Sequence, residues 1–152
     1  MKLAEALLIR ADQKKKILSL RERIAKNALV QEGSQPREAV AALIRECFAT
    51  IAAQQELVLR IDVANTGGKL ADGRALPQAL AERDVLKQQH ATLKQAVDAA
   101  QKDVSHYSAR EIKWLAQIDV ATTQKQMEDL AIKIRDLNIK IQEANWCIAL
   151  PE

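Results

Sequence analysis

The stretch from Asp62 to Asp84, DVANTGGKLADGRALPQALAERD, holds Gly67, Gly68 and Gly73, three of the chain's four glycines, and Pro77. Glycine tolerates positive φ and breaks a helix, and proline presets φ for a first helical turn. The segments on either side carry long helical patterns. The stretch therefore predicts a bend that folds one half of the chain back on the other. It carries no recognisable chemistry of its own.

The 152 residues suit one domain with a real core. Aromatic residues make up only 3%, while Ala, Leu, Ile, Gln, Lys and Glu dominate, a bias towards helix over sheet. The net charge of +3 is too small to imply a nucleic-acid partner by itself. Two cysteines, Cys47 and Cys147, make no disulfide framework and suit a reducing compartment. The apolar run at the N-terminus is interrupted by Glu5 and closed by Arg10 and Asp12, too short and charged for a signal peptide. No apolar stretch approaches the roughly 20 residues of a membrane span. A cytoplasmic location with no membrane partner is expected.

Helix one is expected from about Lys2 to Asn27, with a stripe of Ile17, Leu20, Ile24 and Ala28. Its first turns, Leu3 to Ile9, are apolar nearly all round, which calls for cover by the C-terminus or another subunit. Lys14, Lys15 and Lys16 spread over most of the helix circumference and read as a solvated face. VQEGSQP at 30–36 is a connection, with Gly33 taking a left-handed turn. Helix two follows to about Ala64 on a seam of Val40, Ile44, Cys47, Ile51, Gln54, Val58 and Ile61, with Gln54 a polar layer that sets register.

Helix three is expected from about Pro77 to Val104. Its seam runs through Leu76, Ala79, Arg83, Leu86, His90, Leu93, Val97, Ala100 and Val104. A buried Arg83 needs a partner, which Asp62 or Asp84 could supply. Residues 105–119 read two ways. Ser108 and Glu111 have capping-box spacing, whereas Ile112, Trp114 and Ile118 alternate as an extended segment would. Asp119 or Thr122 caps helix four, which runs to about Asn145. Its seam is Val120, Thr123, Met127, Leu130, Ile134, Leu137, Ile141, Ala144 and Ile148. Off that seam, spaced seven apart, stand Ile132, Ile139 and Trp146, a second packing surface. The expected fold is an all-α, antiparallel up-down-up-down bundle of four long helices with coiled-coil-like seams, one domain over residues 1–152.

Chemical motifs are missing. Gly67-Gly68-Lys69 lacks the spacing of a phosphate loop, and Asp62 to Gly73 misses the calcium-loop pattern. His90 and His106 stand sixteen apart with no paired cysteine, which argues against zinc. The residues three before them are Lys87 and Asp103, so the Glu-x-x-His pairs of a di-iron bundle are absent. No catalytic residue, cofactor or metal is implied, and no enzyme is expected. Residues 1–28 carry eight Lys or Arg against Glu5, Asp12 and Glu22, a local charge of +5.

Several stretches, MKLAEALLIRAD at the start, VQEG at 30–33, ALAERD at 79–84, SAREIKW at 108–114 and IQEANW at 141–146, resemble a family of small bacterial helical proteins of unknown function. Some members carry the label septicolysin. The resemblance covers nearly the whole chain and implies a single helical domain with no assigned catalytic residue. The label suggests a pore-forming toxin, to which the absence of a spanning stretch or an alternating hairpin lends little support.

Two functional readings follow. The first is a non-enzymatic helical scaffold or interaction module, a homo-oligomer or a dock for a protein partner, with Ile132, Ile139 and Trp146 as its interface. The second is a nucleic-acid-associated protein using the basic helix one. Up-down-up-down winding also places Gln31 and Glu32 at one pole with Arg110, Glu111 and Trp114, a candidate binding surface.

Overall fold

The structure is a computed structural model that describes residues 1–101 and 114–151. It is all-α: α1 Leu3–Asn27, α2 Val40–Gly67, α3 Leu76–Ala100 and α4 Val120–Cys147. Among the described residues there is no strand, only an isolated antiparallel bridge between Lys2 and Ala149. Contacts divide the chain into two compact units, Met1–Lys69 with Glu143–Glu152, and Leu70–Gln142.

In the first unit α1 begins where Glu5 turns back to accept the Lys2 N–H at 2.6 Å, satisfying a donor the helix start leaves orphaned. The helix runs antiparallel to α2, as cross-pairs show: Arg23 with Glu38, Lys16 with Glu46, and Gln54 Nε2 donating to the Arg10 carbonyl. Between them Ile17, Leu20, Leu43 and Cys47 form a buried cluster, with Ile24 and Ile51 packed against it. Gly33 takes φ +82 in the connection, as expected. The second helix starts at Val40 rather than just after Pro36. The reason is local: the Glu38 N–H donates to Asn27 Oδ1 and its carboxylate grips Arg23, so this lead-in is tied to the end of α1.

The seam of α2 corrects the sequence reading. Ile44 is 37% exposed, whereas Leu43, Thr50, Leu57 and Ala64 are buried. The true track is Leu43, Cys47, Thr50, Gln54, Leu57, Ile61, Ala64, one helical position away from the expected one and sharing three members with it. Two overlapping 4-3 tracks existed, and the polar Thr50 disguised the buried one. Thr50 is buried because its hydroxyl donates to the Glu46 carbonyl at 2.8 Å.

The all-round apolar start of α1 is covered in part by the chain's own tail. The Leu3 N–H donates to the Ile148 carbonyl and the Leu150 N–H to the Met1 carbonyl, both at 2.9 Å. Leu3, Ala4, Ala6 and Leu150 are buried, while Leu8 remains 60% exposed. Arg60 Nε donates to the Pro151 carbonyl at 2.7 Å and Lys2 Nζ to that of Cys147. Both cysteines are free, Cys47 buried and Cys147 exposed.

In the second unit Leu70 to Arg74 closes a tight turn, the Leu70 N–H reaching the Arg74 carbonyl at 2.9 Å around Gly73 at φ +85. Pro77 then sits in the first turn of α3. The expected seam is observed as far as it is described: Leu76, Ala79 and Val97 are buried, Arg83, Leu86, His90, Leu93 and Ala100 are half-buried, and Val104 lies outside the described residues. Arg83 finds its partner in Asp84, at 3.4 Å. Asp119 caps α4, its carboxylate accepting the Thr122 N–H at 3.0 Å. Along α4 the expected seam is buried or half-buried throughout.

Candidate functional site

Two surfaces stand out from the side chains upward, one in each unit. The first is a groove of about 710 Å³ between α1 and α2. Its floor is apolar, made by Ile17, Leu18, Ile51 and Val58. Arg10, Lys14, Lys15 and Arg21 line it as well. These four cations sit at positions 10, 14, 15 and 21, so about three turns of helix carry them past one groove. Of the cations along α1, Lys15 pairs with Asp12, Lys16 with Glu46 and Arg23 with Glu38. Among the described residues Arg10, Lys14 and Arg21 have no carboxylate partner. Gln54 also lines the groove, and in the α1 seam the Oε1 of Gln13 is buried with no hydrogen-bond partner among the described residues.

The second surface is the outer face of α4 in the Leu70–Gln142 unit. Ile132 is 48% exposed and Ile139 60%. They lie about half a turn around the helix from the buried seam position Ile141. Glu128, Asp129 and Asp136 are exposed at the neighbouring helical positions. Asp136 accepts from Arg135 at 3.3 Å. Trp146, in the last turn of the helix, is likewise 54% exposed. The expected interface residues are thus all surface residues, and two of them share one stripe with carboxylates at its edges.

The expected binding pole is described only in part. Gln31 and Glu32 are exposed in the first unit and Trp114 is exposed in the second. Arg110 and Glu111 lie outside the described residues. What holds the Gln31 end together is the Arg23–Glu38 pair with Asn27, a tie that the sequence did not announce because its members are 15 positions apart. Hydrogen bonding to Arg23 holds the Glu38 carboxyl below the usual carboxylate range.

A third polar cluster ties the turn before α3. Arg74 bridges Asp72 at 3.0 Å and Glu82 at 2.7 Å, and Lys140 approaches Asp72 at 3.7 Å. Its hydrogen bonds to Arg74 pull the Asp72 carboxyl below its ordinary range. Every carboxylate in it faces a cation, so the arrangement is suited to holding a loop rather than to proton transfer. Among the described residues no cluster of His, Cys, Asp and Glu could hold a metal ion.

Comparison with known proteins gives a family but no activity. The model of a family of unknown function, DUF6847, matches residues 10–150. A crystal structure of a functionally unknown conserved protein from Corynebacterium diphtheriae is 30% identical, with a TM-score of 0.88 over 99% of each chain. No functionally curated protein matches. The chain belongs to the DUF6847 family.

Proposed function

We propose that this DUF6847 member is a non-enzymatic interaction module, acting as one domain over residues 1–152, that associates with itself through its exposed helix faces. The observation that carries the reading is the stripe of Ile132 and Ile139, 48% and 60% exposed on the side of α4 away from its seam. An exposed isoleucine pair at heptad spacing is what a helix offers to another helix. The half-buried seams of α3 and α4 support it, since Leu86, Leu93, Leu130 and Ile134 still have surface to lose.

Molecular mass in solution tests the reading. The full chain at micromolar concentration should sediment as an oligomer, and Ile132→Glu with Ile139→Glu should give monomers of unchanged helix content. A wild-type monomer at that concentration would refute it.

The septicolysin label suggested by the resemblance would imply a pore-forming toxin. Among the described residues no helix is long and apolar enough to cross a membrane, and the role proposed here is docking between chains. A second reading, nucleic-acid binding, is favoured by the cations Arg10, Lys14 and Arg21, which have no carboxylate partner among the described residues. Steep loss of duplex binding with added salt would be its signature. The apolar floor between those cations favours a helix over a phosphate backbone.

A further inference from the structure

The groove between α1 and α2 combines two demands that few ligands meet together. Its floor of Ile17, Leu18, Ile51 and Val58 asks for apolar side chains. Its cations Arg10, Lys14 and Arg21, without carboxylate partners among the described residues, ask for anions. A nucleic-acid backbone offers no apolar edge to such a floor, and the scarcity of aromatic residues removes the stacking by which bases are held. A fatty acid brings one carboxylate for three cations. An amphipathic helix with acidic edges supplies both features along its length.

The chain itself carries such a helix face. On α4, Ile132 and Ile139 are exposed and bordered by Glu128, Asp129 and Asp136, with Arg135 beside them paired to Asp136 at 3.3 Å. The spacings agree as well. Lys14 and Arg21 are seven residues apart on α1, and Asp129 and Asp136 are seven apart on α4. Each interval is two helical turns, about 10.5 Å. The same interval separates Ile132 from Ile139. A helix laid along the groove can therefore set one carboxylate near each cation while its isoleucines meet Leu18 and the floor.

We propose that the occupant of the α1–α2 groove is the outer face of α4 from a second copy of this chain. The proposal rests on the self-association reading and specifies its surfaces. Groove and stripe are unlike surfaces, so the contact is heterologous, and one copy presents a groove to one neighbour and a stripe to the same or another. Opposite charges at the edges set the register and choose the partner, and the apolar strip supplies the holding force.

Charge reversal of the full chain tests the match. Lys14→Glu with Arg21→Glu in one variant, and Asp129→Lys with Asp136→Lys in another, should each weaken self-association at least about tenfold in sedimentation velocity. Circular dichroism should show that both remain helical. Mixed in equal amounts, the two variants should recover association, because the reversed groove now faces a reversed stripe. Reversed variants that assemble as the wild type does, or a mixture that fails to recover, would overturn the proposal. Dissociation by Ile132→Glu and Ile139→Glu without any effect of charge reversal would sink this assignment and leave self-association standing. A monomeric wild type would sink both. If instead a short DNA duplex binds the wild type and is lost with Lys14→Glu and Arg21→Glu, while assembly is untouched, the groove belongs to nucleic acid and the proposal is wrong.

Discussion

Leu3 donates its backbone N–H to the carbonyl of Ile148 at 2.9 Å. That bond aligns a short antiparallel bridge between Lys2 and Ala149 and lets Leu150 close over the start of α1. Leu3 has no exposed surface. Leu3→Ala should therefore leave a cavity and cost about 2–5 kcal/mol, measured by urea unfolding with tryptophan or far-ultraviolet detection. A loss below about 1 kcal/mol would mean that the tail adds little cover.

Acid should weaken the joint between α1 and the lead-in to α2. The Glu38 carboxyl is held below its ordinary value of 4.5 chiefly by its hydrogen bonds to Arg23, which outweigh the opposing effect of burial, with a lesser contribution from the charge of that guanidinium. A depressed carboxyl contributes stability that is present above the unfolded value. It is lost as the pH falls through the lower, folded value. Wild type should lose stability relative to Glu38→Gln as the pH drops below about 4.5. The effect should be modest, because the Arg23 and Glu38 side chains are 42% and 36% exposed. Parallel pH profiles for the two proteins would count against the pair.

Asp119 caps α4 through the Thr122 N–H. Asp119→Ala should cost about 1 kcal/mol and fray the first turn, whereas Asp119→Asn should retain most of the stability. Thermal melts at neutral pH, with hydrogen exchange of the amides at 122 and 123, would check both.

Gly73 turns the chain at φ +85, and a Cβ there meets no atom within 4 Å. Space is not the obstacle, so Gly73→Ala isolates the backbone term. It should destabilise by about 1–2 kcal/mol, read from the shift in urea midpoint at constant slope. A neutral result would mean that the turn relaxes to negative φ without consequence.

Gln13 is the seam residue whose Oε1 is buried without a partner among the described residues. Replacement by an apolar side chain of similar length removes a desolvated acceptor. Gln13→Leu should raise stability by about 1–2 kcal/mol. Should it lower stability instead, the Gln13 carbonyl has a partner in solution.

What could be read from the sequence follows from what was unambiguous in it. The seams of α3 and α4 were legible because each offers one continuous apolar track, with Arg83 answered by its neighbour Asp84. The α2 register was not, because two tracks share Cys47, Gln54 and Ile61 and the buried one runs through Thr50. The polar ties escaped for another reason. Arg23 meets Glu38, and Arg74 meets Glu82, only once a turn has been made. The groove was hidden in the same way. Lys14, Lys15 and Lys16 scatter around a lone helix, and only the position of α2 decides that Lys16 pairs with Glu46 while Lys14 flanks an open channel.

The bond between Leu3 and Ile148 also has a place in time. Pairing within α1–α2 brings together residues a few tens of positions apart, while this clasp spans nearly the entire chain. Closing so long a loop is entropically slow. The clasp should thus be the final contact made during folding and the earliest released under stress. Amides at Leu3 and Leu150 should exchange with solvent before those at Leu20 and Cys47, so that a chain still refolding exposes the apolar first turns of α1 until its tail arrives.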